Sequence, residues 1–259
     1  MTPDVSIVIV SFNARADLER CLESLAAAPA AAAHEVVVVD NASSDGSVQA
    51  ARAAGVHVIE AGGNLGFARA NNIGIRASRG RNLLLLNSDT IVPAGAVDRL
   101  LAALEGEPAV AVVGPRLVDG AGRAELSFGP MIGPINEVRQ KLRARGDVEA
   151  ATRIRGYPDW VSGACLLVRR ADAEAVGLLD ERYFMYTEDV DFCAAIRARG
   201  RRVLFTPDVE IVHLRGRSAA AAPAATVKAY RRSQIAFYEK HHPKWAPLLR
   251  MYLRARGRL

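Results

Sequence analysis

Val5-Ser6-Ile7-Val8-Ile9-Val10 is apolar and largely β-branched, the pattern of a strand covered on both faces in a parallel sheet. Leu18, Cys21, Leu22 and Leu25 follow at i, i+3, i+4, i+7 and predict a helix. The alternation then repeats. Val36–Val39 predicts a second buried strand, and Ser43-Ser44-Asp45-Gly46-Ser47 a turn and cap for a short helix ending near Ala54. Val56–Ile59 predicts a third strand, followed by a glycine-bearing loop at Gly62–Gly66 and a helix to about Ser78. Leu83–Leu86 predicts a fourth, with Val97, Leu100, Leu101 and Leu104 marking the next helix. Four strand–helix units in succession predict an α/β fold with a parallel sheet and right-handed crossovers.

Beyond residue 105 the pattern loosens. Ala109–Gly114 and Arg116–Val118 predict two short strands before a Gly120–Gly122 turn, and residues 129–156 read as a polar, basic excursion. Trp160–Val168 is again strand-like, and a short helix is expected at 171–176. Thr187 is the expected N-cap of a helix whose first turn holds Glu188 and Asp189 and which stops at Gly200. Strands at 202–206 and 209–213, an Ala-rich loop and a helix over 226–241 complete the chain. No internal repeat or linker divides it. The expected organisation is one domain over 1–226, with a nucleotide-binding half (1–115) and an acceptor-side half (116–226), and a basic helical tail over 227–259.

Three predicted strands end in polar groups: Ser11-Phe12-Asn13, Asp40-Asn41 and Asn87-Ser88-Asp89. In an open α/β sheet such ends share one edge, where ligands bind. Local readings stand beside this one: Asp40 and Asn41 can hold a turn, and Asp89 can cap the helix that follows. The loop after the first strand carries neither GxxxxGK[ST] nor GxGxxG, which excludes the usual phosphate cradles. A divalent metal on the diphosphate is the substitute, with Asp89 as one ligand.

Composition adds a location. Of the charged residues, 13 Lys/Arg against 3 Asp/Glu fall within 201–259, while residues 1–200 hold 21 against 25. The basic excess is thus a C-terminal feature, suited to an anionic lipid surface or a polyanionic substrate, or merely solvated. Ile235, Phe237, Tyr238, Trp245, Leu248, Leu249, Met251, Tyr252 and Leu253 alternate with those cations, as in an interfacial helix, a core-packing pair or an oligomer contact. No run reaches the ~20 apolar residues of a membrane span. Val5–Val10 is too short for a signal h-region, so a cytoplasmic protein is expected, with contact to the inner membrane face through the basic end. Cys21, Cys165 and Cys193 lie far apart without CxxC spacing and read as buried, reduced thiols.

Taken in order, Val5–Asn13, VVVVDNASSDGS (36–47), NLGFARANNIG (64–74), LLLLNSDT (83–90), Trp160–Arg169, DERYFMYTEDVDFCAAIR (180–197) and HLRGRS (213–218) resemble inverting family 2 glycosyltransferases of the GT-A fold, nearest the rhamnosyltransferase-like branch. The resemblance spans roughly residues 4–240. It implies transfer of a sugar, with rhamnose a candidate, from a dTDP- or UDP-sugar to a glycan or polyprenyl-diphosphate-linked acceptor, with Mg2+ or Mn2+ and no nucleic acid. Ser11, Phe12 and Asn13 would lie against the nucleotide, Asp40 with Asn41 at the base, and Asn64, Gly66 and Asn72 over the nucleoside and diphosphate. Asn87-Ser88-Asp89 takes the place of the DxD motif, with Asp89 and His213 as metal ligands. Glu188-Asp189 matches the acidic pair, Asp189 being the general base and Asp191 supporting it.

The sequence departs from that pattern at two places. Asn87 replaces the first acid of DxD, so one charged ligand is missing, and Asn71 stands where many relatives carry Arg, leaving Arg69 or Arg76 to compensate. Chemically, the diphosphate leaving group needs cationic stabilisation and the acceptor hydroxyl needs a base on the opposite face of the sugar. Trp160 is a candidate sugar platform or a core residue. Gly163 and Ala164 are small enough for a sugar to approach, or form a tight strand. A catalytically silent nucleotide-sugar-binding protein would leave Glu188-Asp189 and His213 without a reason. A nucleotidyltransferase would show a glycine- and basic-rich loop where Ser11-Phe12-Asn13-Ala14 stands.

Overall fold

A computed structural model describes residues 2–134, 136, 145–214 and 223–257. In chain order the elements are β1 Val5–Ser11, α1 Arg15–Ala27, β2 His34–Asp40, α2 Ser47–Ala53, β3 His57–Glu60, α3 Phe67–Ala77, β4 Asn82–Asn87, β5 Thr90–Ile91, α4 Ala96–Glu105, β6 Val110–Val118, β7 Ala124–Glu125, β8 Phe128–Gly129, α5 Arg145–Ala151, β9 Trp160–Val161, β10 Cys165–Arg169, α6 Arg170–Ala175, α7 Glu188–Ala198, β11 Arg202–His213, α8 Pro223–His241 and α9 Ala246–Ala255.

The main sheet runs β3-β2-β1-β4-β10-β6-β11-β5, with β7 added beside β6. The first four strands are parallel, as the strand–helix alternation predicts. β10 is inserted antiparallel between β4 and β6. Side-chain alternation divides the core between the two faces. Leu84 and Leu86 pack with Leu18, Cys21 and Leu22 of α1 and Leu100, Leu101 and Leu104 of α4. Leu83 and Leu85 face the other way, toward Ala68 and Ile75 of α3 and Phe192, Cys193 and Ile196 of α7. Each fully covered leucine contributes about 1.5–3 kcal/mol, which explains why β4 is apolar without interruption until Asn87. The three thiols are buried, and burial pushes the Cys21 thiol up to about 11.

Several predicted elements are redrawn. The two strands expected at 109–118 are one, β6, continuing through Pro115. Proline donates no ladder hydrogen bond, and the β6–β11 register breaks beside it, between Thr206 and Glu210. β11 likewise absorbs both strands expected over 202–213, as one bulged strand. The single strand expected over 160–168 is two: β9 pairs with β8 in a separate two-stranded sheet, and a turn at Ser162–Ala164 delivers the chain to β10. Thr187 occupies the N-cap position of α7 as expected, but its side chain makes no capping hydrogen bond. It adopts a left-handed backbone (φ 68°) and its buried hydroxyl has no partner. Part of the 129–156 excursion is ordered as α5; 135 and 137–144 lie outside the described residues, as do 215–218 of the HLRGRS stretch.

The C-terminal segment begins as part of the body. Phe237 and Tyr238 of α8 are buried against Tyr183 and Val190, and Ser233 donates to the Met185 carbonyl (2.7 Å). α9 carries an exposed apolar row, Leu248, Met251 and Tyr252, with Trp245 just before it. Among the described residues no helix is long and apolar enough to cross a membrane.

Candidate active site

Parallel pairing puts the polar strand ends in register. Ser11 is opposite Asp40, Val10 is opposite Asn87, and Asp40 is opposite Glu60. Ser11 and Asp40 are both buried, yet Ser11 Oγ and Asp40 Oδ1 have no hydrogen-bond partner. Orphaned polar atoms at a sheet edge are costly unless a ligand completes them. Asp40 Oδ2 meanwhile accepts from the Ser43 N–H (2.8 Å), so the turn-holding reading of Asp40 and the ligand-facing one each take one oxygen.

The loops around this edge are tied to one another. Asn13 (φ 47°) accepts from the Ser44 N–H at 2.8 Å and donates its own N–H to Ser43 Oγ at 2.9 Å, while exposed Phe12 stays open to solvent. The Asn41 amide donates to the Gly66 carbonyl (3.2 Å) and accepts from the Leu65 N–H (3.1 Å), clamping the glycine loop. Asn64 Oδ1 accepts the Gly66 N–H (3.2 Å). Gly66 has φ 84°, and a Cβ there would lie 2.3 Å from the Phe184 carbonyl oxygen. Only glycine permits that approach. Asn72 is buried and fully engaged, donating to the Leu179 carbonyl (2.8 Å) and Glu181 (3.0 Å) and accepting the Leu179 N–H (3.1 Å). Asn13, Asn41 and Asn72 therefore shape the cleft through its walls. Arg69 and Arg76 pair with Glu181 on the surface, and Asn71 bonds the Phe67 carbonyl at 2.9 Å.

At the end of β4, Asp89 caps no helix; α4 starts later, after Gly95. Its Oδ1 lies 3.3 Å from His213 Nε2, and Asn87 Nδ2 is also 3.3 Å from that nitrogen. Pairing of His213 with Thr90 across β11 and β5 creates the meeting. Ser88 sits buried between Asn87 and Asp89. Behind the ring, Glu125 Oε2 is 3.0 Å from His213 Nδ1. Burial opposes charge on the ring, but hydrogen bonds donated by the ring to Asp89 and Glu125 outweigh it and push the His213 pKa up to about 9. Two ligands on neighbouring corners of an octahedral cation with bonds of about 2.0–2.1 Å stand roughly 3 Å apart. Asp89 and His213 fit that span. Among the described residues no group of three or more His, Cys, Asp and Glu side chains is arranged to hold an ion, so a cation at this corner would find two protein ligands, Asp89 and His213.

The acidic pair lies on the other side of the Ser162–Ala164 turn. Asp189 Oδ2 accepts from the Gly163 N–H and Oδ1 from the Val190 N–H, both at 2.8 Å. Burial raises its pKa while these two donors hold the rise back. Glu188 is more deeply buried, and burial together with adjacent Asp189 pushes its carboxyl well above 4.5; its Oε2 has no partner. Two consecutive left-handed residues, Tyr186 (φ 72°) and Thr187 (φ 68°), aim this turn. Such conformations cost of order 1–3 kcal/mol each and cluster at working sites. Gly163 is small because Asp189 packs on it; an added Cβ would stand 3.3 Å from Asp189 Cβ. Ala164, buried, gives its carbonyl to the Asn87 N–H (3.0 Å).

Two residues expected in the site make packing and anchoring contacts. Asp191, two positions beyond Asp189, points across the helix into α8. It accepts from Tyr183 OH (3.2 Å), Lys240 Nζ (2.8 Å) and His241 Nε2 (2.6 Å), which anchors the C-terminal helix. Trp160 is a packing residue: its ring lies on Gly129 and its Nε1–H donates to the Pro130 carbonyl (2.9 Å). The exposed aromatics beside the acidic pair are Phe184 and Tyr186. Sequence reasoning also missed Glu125, whose only local signal is its place three residues past the predicted Gly120–Gly122 turn.

A sheet whose strand ends carry unpartnered polar atoms, a carboxylate–histidine corner and an acidic helix start has the layout of a glycosyltransferase of the GT-A type. The chain belongs to glycosyl transferase family 2, whose profile it matches over residues 6–174. It is 32% identical over 273 residues to the N-acetylglucosaminyl-diphospho-decaprenol L-rhamnosyltransferase of Mycobacterium tuberculosis (strain H37Rv), covering 96% of this chain and 89% of that one. It is 25% identical over 217 residues to the low-salt glycan biosynthesis hexosyltransferase Agl10 of Haloferax volcanii, covering 82% and 68%. Among solved structures, the mannosyltransferase PcManGT from Pyrobaculum calidifontis in complex with GDP-Man and Mn2+ aligns with a TM-score of 0.64 at 19% identity, over 96% of this chain and 69% of that one. GalNAc-T7 with UDP, GalNAc and Mn2+ aligns with a TM-score of 0.64 at 17% identity, over 90% and 48%. The protein is a glycosyltransferase with a GT-A fold.

Proposed function

We propose that this enzyme transfers a sugar with inversion from a nucleoside diphosphate sugar to a glycan or polyprenyl-diphosphate-linked acceptor, with dTDP-rhamnose the leading donor. The observation that carries the reading is the Ser162–Ala164 turn. Its Ala164 carbonyl holds the Asn87 N–H at the metal corner, and its Gly163 N–H holds Asp189. One rigid turn thereby spaces the leaving-group end of the cleft from the base. Asp40 and Ser11 receive the nucleobase with their free oxygens. Asp89 and His213 hold a divalent cation, Mg2+ or Mn2+, which when bound offsets charge growing on the diphosphate. Asp189 accepts the proton of the acceptor hydroxyl, and its raised pKa suits a base that must later release it. The relative's rhamnosyltransferase activity on a lipid-linked acceptor supports this choice of donor and acceptor.

The acceptor's lipid calls for a membrane surface. Trp245, Leu248, Met251 and Tyr252 are half-exposed or more, and Lys244, Arg254 and Arg256 flank them. Amphipathic helices of this kind lie in the headgroup region, each cation adding about 1 kcal/mol on an anionic leaflet. Sedimentation with phosphatidylglycerol vesicles, abolished by Leu248→Ser with Met251→Ser, supports this contact; equal sedimentation of wild type and variant opposes it.

The central test incubates the protein with dTDP-rhamnose, or UDP-sugars in parallel, and a polyprenyl-diphosphate-linked N-acetylglucosamine. Release of nucleoside diphosphate that stops with EDTA and returns with Mn2+ supports the proposal. Release of pyrophosphate, or binding without turnover, contradicts it.

A further inference from the structure

We infer that Glu125 restores, from behind His213, the negative charge that Asn87 withholds from the metal corner, and that it is a positioning residue for the cation. This rests on the metal reading proposed above.

β7 exists because the chain reverses after Asp119 and pairs Glu125 with Leu117 of β6. That pairing delivers a carboxylate to the inner side of β11, where it is 9% exposed and 3.0 Å from His213 Nδ1. The opposite ring nitrogen, Nε2, faces Asp89 and Asn87, each at 3.3 Å. Glu125 therefore stands on the far side of the imidazole from the cation position and is not itself a ligand.

Two consequences follow from that placement. An Nδ1–H donated to Glu125 leaves the lone pair on Nε2, the tautomer a metal ligand needs. Asn87 gives the corner no charge, so Asp89 alone would oppose the cation; Glu125 adds a second carboxylate one ring away, in a setting screened little by water. Removing such an outer partner costs 10–100-fold in metal affinity.

The experiment measures Mn2+ binding by electron paramagnetic resonance of the free ion in saturating dTDP, with UDP in parallel. Wild type, Glu125→Gln, Asn87→Asp and the double variant are compared, each first checked by thermal melting. Glu125→Gln is expected to raise the Mn2+ Kd about 10–100-fold, and Asn87→Asp is expected to restore it in the double variant. A purely structural glutamate would not be rescued by a charge placed at residue 87. With diamagnetic Mg2+ and dTDP bound, where the cation displaces the Nε2 proton, the 15N spectrum of His213 should show an Nδ1–H ring in wild type and lose that preference in Glu125→Gln.

Wild-type affinity in Glu125→Gln, with binding lost in Asp89→Asn, overturns the role of Glu125 and leaves the metal reading standing. No Mn2+ binding by wild type with either nucleotide overturns both. Where Glu125→Gln fails to fold, Glu125→Asp carries the test: an affinity between wild type and Asp89→Asn supports the role, and an unchanged affinity opposes it.

Discussion

Asp191 anchors α8 to α7 through a buried carboxylate. It is 2% exposed, and one carboxylate oxygen takes Tyr183 and His241 while the other takes Lys240. Asp191→Ala would strand a buried phenol and remove the partner of two cationic or potentially cationic groups. A hydrogen bond to a charged group contributes about 1.5–3 kcal/mol, and breaking a buried pair by removing one member costs about 3–5 kcal/mol. Lys240 is about a third exposed and keeps Asp180 at 2.9 Å, so its share is discounted. The expected loss is about 3–4 kcal/mol, or a Tm lower by roughly 6–15 °C in a domain of this size. Circular dichroism melts of Asp191→Ala, Lys240→Ala and the double variant measure it, and the pair should couple, the double costing less than the sum. At temperatures where Asp191→Ala remains folded, kcat should stay within a few-fold of wild type. A melt within 2 °C of wild type would refute the anchoring account. A folded variant with turnover lost would return Asp191 to the reaction.

Glu188→Gln should stabilise the protein at neutral pH. A carboxyl whose pKa is raised on folding, here by burial and then by Asp189, favours the native state while protonated. That stability is present below the unfolded value of 4.5 and is lost as pH rises toward the folded one. The variant's Tm gain should thus appear above about pH 5 and vanish near pH 4, and a pH-independent difference would contradict the assignment. Gly66→Ala meets both a left-handed backbone and the Phe184 carbonyl. It should cost about 2 kcal/mol or more and raise the donor KM, since the loop it displaces covers the strand ends; wild-type melting and KM would show that the contact is soft.

Much of the fold was legible because its signals are local. Apolar runs ending in Ser11, Asp40 and Asn87 mark both the parallel sheet and its polar carboxyl edge, and helix spacing after each fixes the layers. Thr187 shows where local rules fail: a threonine before two acids reads as an N-cap, yet tertiary demands hold it left-handed and its hydroxyl bonds nothing. Asn41 and Asn72 were legible as polar cleft residues, but their partners, Gly66 and Leu179, were not. Glu125 meets His213 across 88 residues, and Asp191 meets Lys240 across 49. No periodicity encodes such pairings; they appear only when β7 and α8 are placed. The family resemblance carried Asp189 and His213 into view. Asp191, at equal chemical promise, shows that two residues along a helix face opposite sides.

The most direct test of the account is turnover by Asp189→Asn with donor and Mn2+ present, measured alongside donor-induced thermal stabilisation. Asn keeps the Gly163 hydrogen bond but cannot take the acceptor's proton. The account predicts that turnover falls about 10²–10⁴-fold while the donor-induced shift is unchanged. Turnover near wild type with normal donor binding would contradict it.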